Sequence, residues 1–138
     1  MLFRSTRGGS TGSHASVSAV VLFDNSASMN RYVADGKLLD LAKKRTEELL
    51  ATFGPSDQVA IVPLAHTDDR SSTAGFGSAA ALEQLKRLAP GHRKAAFQDA
   101  LEAAVTLVSQ AANLNREIYL VTDRQRQSLP EKIGRAHV

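Results

Sequence analysis

At 138 residues the chain has room for one domain with a real core, and its 43% hydrophobic and 22% charged residues are those of a folded globular protein. The net charge is +3, but the basic residues are scattered and aromatics make up only 5%, so neither a basic stripe nor a stacking platform for nucleic acid is present. The absence of cysteine excludes disulfides, thiolate metal sites and a Cys nucleophile.

Residues 1–15 read as a flexible linker, because Ser5 to Ser16 is small, polar and glycine-rich. Gly8 to Ser13 lacks both the preceding strand and the Gly-Lys-Ser/Thr ending of a phosphate-binding loop. Early arginines are not followed by an apolar signal core, and no run approaches the ~20 apolar residues that span a bilayer. The chain as it stands is expected to be soluble and untargeted.

Val17 to Phe23 is β-branched and apolar almost throughout, the pattern of a parallel strand buried on both faces. It ends abruptly in Asp24-Asn25-Ser26-Ala27-Ser28-Met29, an acid followed by two alternating hydroxyls. Gly36 to Phe53 carries Leu38, Leu39, Ala42, Leu49, Leu50 and Phe53 at helical spacing, with Lys43, Lys44, Glu47 and Glu48 largely opposite. Gly54-Pro55-Ser56-Asp57 stops that helix. Gln58 to Leu64 is a second apolar strand, and Pro63 near its end implies an edge position or a bulge. Thr67 to Gly77 reads as a loop with room for a short edge strand. Ala79 to Leu88 reads as a short helix striped by Leu82, Leu85 and Leu88 and broken by Pro90-Gly91. Ala95 to Ala112 is a longer helix, apolar at Phe97, Leu101, Ala104, Val105 and Val108. Glu117 to Thr122 is a third strand, ending in Asp123.

Strands and helices in this order predict an α/β fold around a mainly parallel sheet. Ligands bind such sheets at the carboxyl ends of the strands, where Asp24 and Asp123 both fall. One carboxylate and two Ser oxygens converging at a strand end suit a small, hard divalent cation such as Mg²⁺. Asp24 and Ser26 could instead cap a following helix, and Thr122-Asp123 could be a turn or a cap; neither accounts for the second Ser. His14, His66, His92 and His137 lack metal-ligand spacing and read as loop histidines. Arg116, Arg124 and Arg126 are either a basic patch beside the site or a solvated face, and Tyr32 either lines the rim or packs.

Asp24-x-Ser26-x-Ser28 after an apolar strand, with a later strand ending Val121-Thr122-Asp123, resembles the von Willebrand factor type A (vWA) domain over residues 16–128. The resemblance implies a three-layer, Rossmann-like fold with a mainly parallel central sheet, present here as a partial domain over 16–130 that is incomplete at its C-terminus. It also implies a metal-ion-dependent adhesion site holding Mg²⁺ or Mn²⁺ through Asp24, Ser26, Ser28 and Asp123. In that family the cation completes its coordination with an acidic side chain of a protein partner. Asp24 to Met29, Gly54-Pro55-Ser56-Asp57-Gln58-Val59 and Thr122-Asp123-Arg124-Gln125 are most similar to bacterial membrane-associated vWA proteins of the aerotolerance-operon (Bat-like) type. Transmembrane helices typically flank the vWA segment there, so the full-length protein is expected in the bacterial inner membrane.

One departure matters. The family usually supplies a Thr ligand from the loop before the third helix, and the corresponding segment, Gly91 to Asp99, has Ala95 at or near that position. An alanine methyl cannot coordinate, the neighbouring Arg93 and Lys94 oppose a cation, and Asp99 is expected on the helix. Weaker metal binding, or a water in place of the hydroxyl, follows.

Two other functions compete with a metal-assisted interaction module. A structural vWA-like domain with a degenerate, metal-free site is one. The other is a phosphatase of the haloacid-dehalogenase type, whose Asp-x-Asp motif needs an acid where Ser26 stands, leaving no proton donor for a leaving group. Ser26 and Ser28 lack the Gly-x-Ser-x-Gly elbow of a Ser hydrolase, so no enzymatic activity is expected. Residues 131–138 read as a non-native tail, since Lys132-Ile133-Gly134-Arg135-Ala136-His137-Val138 matches a sequencing adapter translated in frame; the alternative is a genuine basic tail. Without Lys132 and Arg135 the chain has 15 basic against 14 acidic residues, or +1. A domain cut short in this way would leave a sheet edge exposed.

Overall fold

The computed structural model describes residues 2–7, 16–65, 77–91 and 96–122. Strand β1 (Leu2–Arg7) is followed by β2 (Val17–Phe23), a 3-10 turn (Ala27–Asn30), a two-stranded hairpin of β3 (Tyr32–Val33) and β4 (Gly36–Lys37), and helix α1 (Leu38–Leu50). Then come β5 (Gln58–Pro63), α2 (Ser78–Arg87), α3 (Phe97–Ser109) and β6 (Asn115–Val121). The main sheet has the order β1-β6-β2-β5, with β2 parallel to both neighbours. Val20 lies opposite Ala60 on one side and Ile118 on the other.

Alternation along the strands decides the layering, since successive side chains point to opposite faces. Ala19, Val21 and Phe23 pack with Leu39 and Leu50 of α1 and with Ala81 and Leu85 of α2. Val20 and Leu22 pack with Phe97, Leu101, Ala104 and Val108 of α3. The result is the expected three-layer α/β arrangement. From Ser18 to Phe23 β2 is buried on both faces, which is why this run is continuous rather than alternating in hydrophobicity. Each fully buried Val, Leu or Phe stabilises the domain by about 1.5–3 kcal/mol.

Several expectations shift in detail, with α2 at Ser78–Arg87, α3 at Phe97–Ser109 and β6 at Asn115–Val121 displaced at their ends. The linker expected over residues 1–15 is corrected at Leu2–Arg7, which pairs antiparallel with β6 from Leu2 opposite Val121 to Arg7 opposite Arg116. Composition concealed this, because the strand answers to the unpaired backbone groups along the outer side of β6 rather than to its own hydrophobicity. Helix α1 starts at Leu38 rather than Gly36, since Gly36 and Lys37 are taken up in the hairpin. Gly36 has φ 131°, a conformation L side chains rarely adopt, so the chain turns there at a residue without a Cβ. Phe53 lies beyond the end of α1, yet meets Tyr119 edge-on at 6.3 Å between ring centroids. Pro63 ends β5, the last strand in the sheet order among the described residues, as an edge proline should. The expected edge strand over residues 67–76 and the tail over 131–138 lie outside the described residues.

Polar side chains pin the amino edge of the sheet. Asp57 Oδ1 accepts from Val17 N at 2.8 Å and Oδ2 from Gly54 N at 2.7 Å, tying the loop after α1 to the start of β2. Ser18 Oγ donates to Gln58 Oε1 at 2.9 Å, and the same oxygen accepts from Ala112 N at 3.0 Å.

Candidate metal-binding edge of the sheet

Phe23 and Val121 are register partners and Asp24 N donates to Val121 O at 2.9 Å, so Asp24 and Thr122 leave the sheet side by side. The Asp24 carboxylate is buried, at 6% exposure, and each oxygen has a partner. Oδ1 accepts from Ser26 N at 3.0 Å and Ser26 Oγ at 2.6 Å, and Oδ2 accepts from Thr122 Oγ1 at 2.8 Å. Ser26 Oγ lies 3.1 Å from Ser28 Oγ. Asp24, Ser26 and Ser28, predicted together from sequence, do converge. Asp123 and Ala95 lie outside the described residues, as do Arg93, Lys94 and all four histidines.

The turn that presents the hydroxyls is anchored from below. Met29 N donates to Ser26 O at 2.9 Å, and the Met29 side chain is buried in the α1–α2 face of the core. With Met29 held inward, Ser28 faces solvent while Ser26 stays buried.

Asn25, wholly buried, binds the neighbouring loops together. Its Nδ2 donates to Ala65 O at 3.1 Å and Ala89 O at 3.2 Å, and its Oδ1 accepts from Ala65 N at 2.8 Å. Asn25 O accepts from Gly91 N at 2.7 Å, and Ala96 N donates to Leu64 O at 2.9 Å. The loop after β2, the one between β5 and α2, and the one between α2 and α3 are thereby fixed to one another. Asn25 and Thr122 were not singled out as site residues in the sequence. Asn is the residue type that offers both a donor and an acceptor to two backbones, but only the fold reveals which backbones meet it.

The remaining predictions divide. Asp99 is exposed in the first turn of α3, where an acid complements the helix dipole. Arg116 is at the amino end of β6, opposite Ser18, and donates to Asn113 O at 3.3 Å. It therefore takes no part in a basic patch beside Asp24. Tyr32 is 77% exposed, so it does not pack in the core.

The donor set fits a small hard cation. Adjacent ligands on an octahedral ion with bonds of 2.0–2.1 Å stand about 3 Å apart, close to the 3.1 Å between Ser26 Oγ and Ser28 Oγ. Among the described residues no three His, Cys, Asp or Glu side chains gather as an alternative centre. A family model, described as von Willebrand factor type A domain, matches residues 19–125. The chain belongs to the vWA family. A search of the curated proteins gives no match. The matched span of this vWA domain includes every residue of the Asp24–Ser26–Ser28–Thr122 cluster. Among the described residues no helix is long and apolar enough to cross a membrane.

Proposed function

We propose that this vWA domain is a non-catalytic protein-interaction module whose carboxyl edge holds Mg²⁺ or Mn²⁺. Ser26 and Ser28 would supply direct oxygen donors, with Asp24 and Asp123 as the carboxylates of the site. A bound cation would supply an open Lewis-acidic position for an acidic side chain of a partner. The observation that carries the reading is the braced oxygen cluster: buried Asp24 bonded to Ser26 and Thr122, with exposed Ser28 0.5 Å wider than the Asp24–Ser26 contact, at 3.1 against 2.6 Å. Thr122 and the Ser26 amide hold the carboxylate in place, so its charge stays at the edge where a cation would need it. Ser26 donates its proton to Asp24 and accepts from Ser28, which leaves one lone pair on Ser26 and those of Ser28 available to an ion. The same bond argues against phosphatase chemistry, because the position of the general acid holds a hydroxyl already committed to the carboxylate. We further propose that the domain belongs to a Bat-like bacterial protein anchored in the inner membrane, on the strength of the Asp24–Met29, Gly54–Val59 and Thr122–Gln125 segments.

A second reading has its own observation. Both oxygens of Asp24 are satisfied by the protein itself, so a metal-free domain could keep the cluster purely as a brace. Thermal unfolding of the whole chain in rising Mg²⁺ or Mn²⁺, beside Asp24→Ala and Ser28→Ala, separates the two. Metal binding at ten times the Kd stabilises the native chain by about 1.4 kcal/mol, and both variants lose that gain. A native chain whose unfolding ignores both ions leaves the structural reading standing.

A further inference from the structure

The two long edges of the main sheet are covered by different means. Along β5, Val59 O accepts from Gly77 N at 3.1 Å, Ile61 O accepts from Gln84 Nε2 at 3.0 Å, and Pro63 has no N–H to offer. These caps come from helix α2 and its N-cap residue, which the core holds through the wholly buried Ala81 and Leu85. Along β6 the cover is β1, paired antiparallel from Leu2 opposite Val121 to Arg7 opposite Arg116. Among the described elements only β6 lies along β1. What holds β1 is therefore chiefly a backbone ladder, and a ladder does not distinguish which copy of the chain supplies the strand.

The connection has the length for such an exchange. Strands β1 and β2 flank β6, with Arg7 opposite Arg116 and Val17 opposite Asn115, so the two ends stand about 10 Å apart across it. Residues 8–16 join them, and Gly8-Gly9-Ser10-Thr11-Gly12-Ser13 has the composition of a linker. Extended at about 3.3 Å per residue, that segment spans about 30 Å, enough to place β1 on a neighbouring sheet.

We propose that β1 exchanges between two copies of this chain, each lending Leu2–Arg7 to the outer side of the other's β6. A second copy is the occupant because it brings the strand whose register with β6 is already set. Closed monomer and exchanged dimer make the same ladder. The effective concentration set by the linker, about millimolar for a short one, decides between them. In either form Val121 keeps Leu2 on one side and Phe23 on the other, so the Asp24–Thr122 edge is unchanged and the dimer presents two of them. Exchange requires no cation at that edge.

Light scattering of the native 138-residue chain should show about half of it dimeric near 1 mM and nearly all monomeric near 10 µM. The chain has no cysteine, so the double variant Arg7→Cys, Arg116→Cys reports on this pairing alone. Cross-strand partners lie about 4.5–5.5 Å apart at Cα, within disulfide range. Oxidised when concentrated, the variant should run on a denaturing gel without reductant as linked dimers; oxidised when dilute, it should run as single, internally linked chains. Deleting Gly8 to His14 leaves Ala15 and Ser16, at most about 11 Å of chain between the strands, too short to pass round the end of β6. That variant should dimerise at a concentration at least tenfold lower than the native chain. A native chain still monomeric near 1 mM, dimers whose chains are linked only internally, or a shortened chain that dimerises no more readily overturns the proposal. So does the absence of any link in the double variant, because β1 would then not pair with β6.

Discussion

Asp57 and Asp24 are both carboxylates at an end of the parallel sheet, and they are satisfied in opposite ways. At the amino edge, Asp57 accepts from two backbone amides, those of Val17 and Gly54. Those donors have no other chemistry to offer, so the carboxylate is spent on holding a loop. At the carboxyl edge, Asp24 accepts largely from side-chain hydroxyls, those of Ser26 and Thr122. Hydroxyl oxygens keep lone pairs after donating a proton, so the cluster can brace the fold and still present oxygens outward. A polar network of similar size is therefore structural at one end and a candidate binding site at the other. The partner groups decide which.

The largest expected effect lies behind the site, in the residue that makes the carboxyl edge rigid. Asn25→Ala removes three side-chain hydrogen bonds from a fully buried position and strands the backbone groups of Ala65 and Ala89. Urea denaturation should show a loss of about 3 kcal/mol. A loss below about 1 kcal/mol would mean that the loops hold together without it.

Asp57→Ala comes next. It leaves two partly buried amides without their acceptor and should lower stability by about 2 kcal/mol, read from the same denaturation curves. Its response to Mg²⁺ should match that of the native chain. A changed metal response would erase the contrast between the two edges.

Thr122→Val is the smallest and the sharpest of the three. It preserves shape and removes only the hydroxyl that holds Asp24 Oδ2. Stability should fall by about 1 kcal/mol, while calorimetric titration should show weaker Mg²⁺ binding because Asp24 is then held through Oδ1 alone. Unchanged binding in this variant would reduce Thr122 to the role Asp57 plays at the other end.

How far the sequence could be read follows the same physics. The β2 run from Val17 to Phe23 was legible to the residue, because a strand buried on both faces leaves no polar position to blur its ends. Asp24, Ser26 and Ser28 were legible as a set, since their alternation follows a strand and serves no core purpose. The helices were legible by period and less so at their ends: α1 gave up Gly36 and Lys37 to a hairpin whose strands are two residues long. Such a hairpin has no periodicity to detect. Strand β1 was missed because what orders it lies in β6, more than a hundred residues away.

By itself, the sequence determined the α/β class, the family and the three oxygen-bearing residues after β2, because these depend on local period and on residue types that a core would not choose. Only the tertiary structure decided that Asn25 ties three loops together, that Thr122 holds Asp24, and that Tyr32 stands exposed beside Lys37. Each of those pairings depends on where chains distant in sequence come to lie, and that is fixed by packing the strands in register rather than by any residue's own preference.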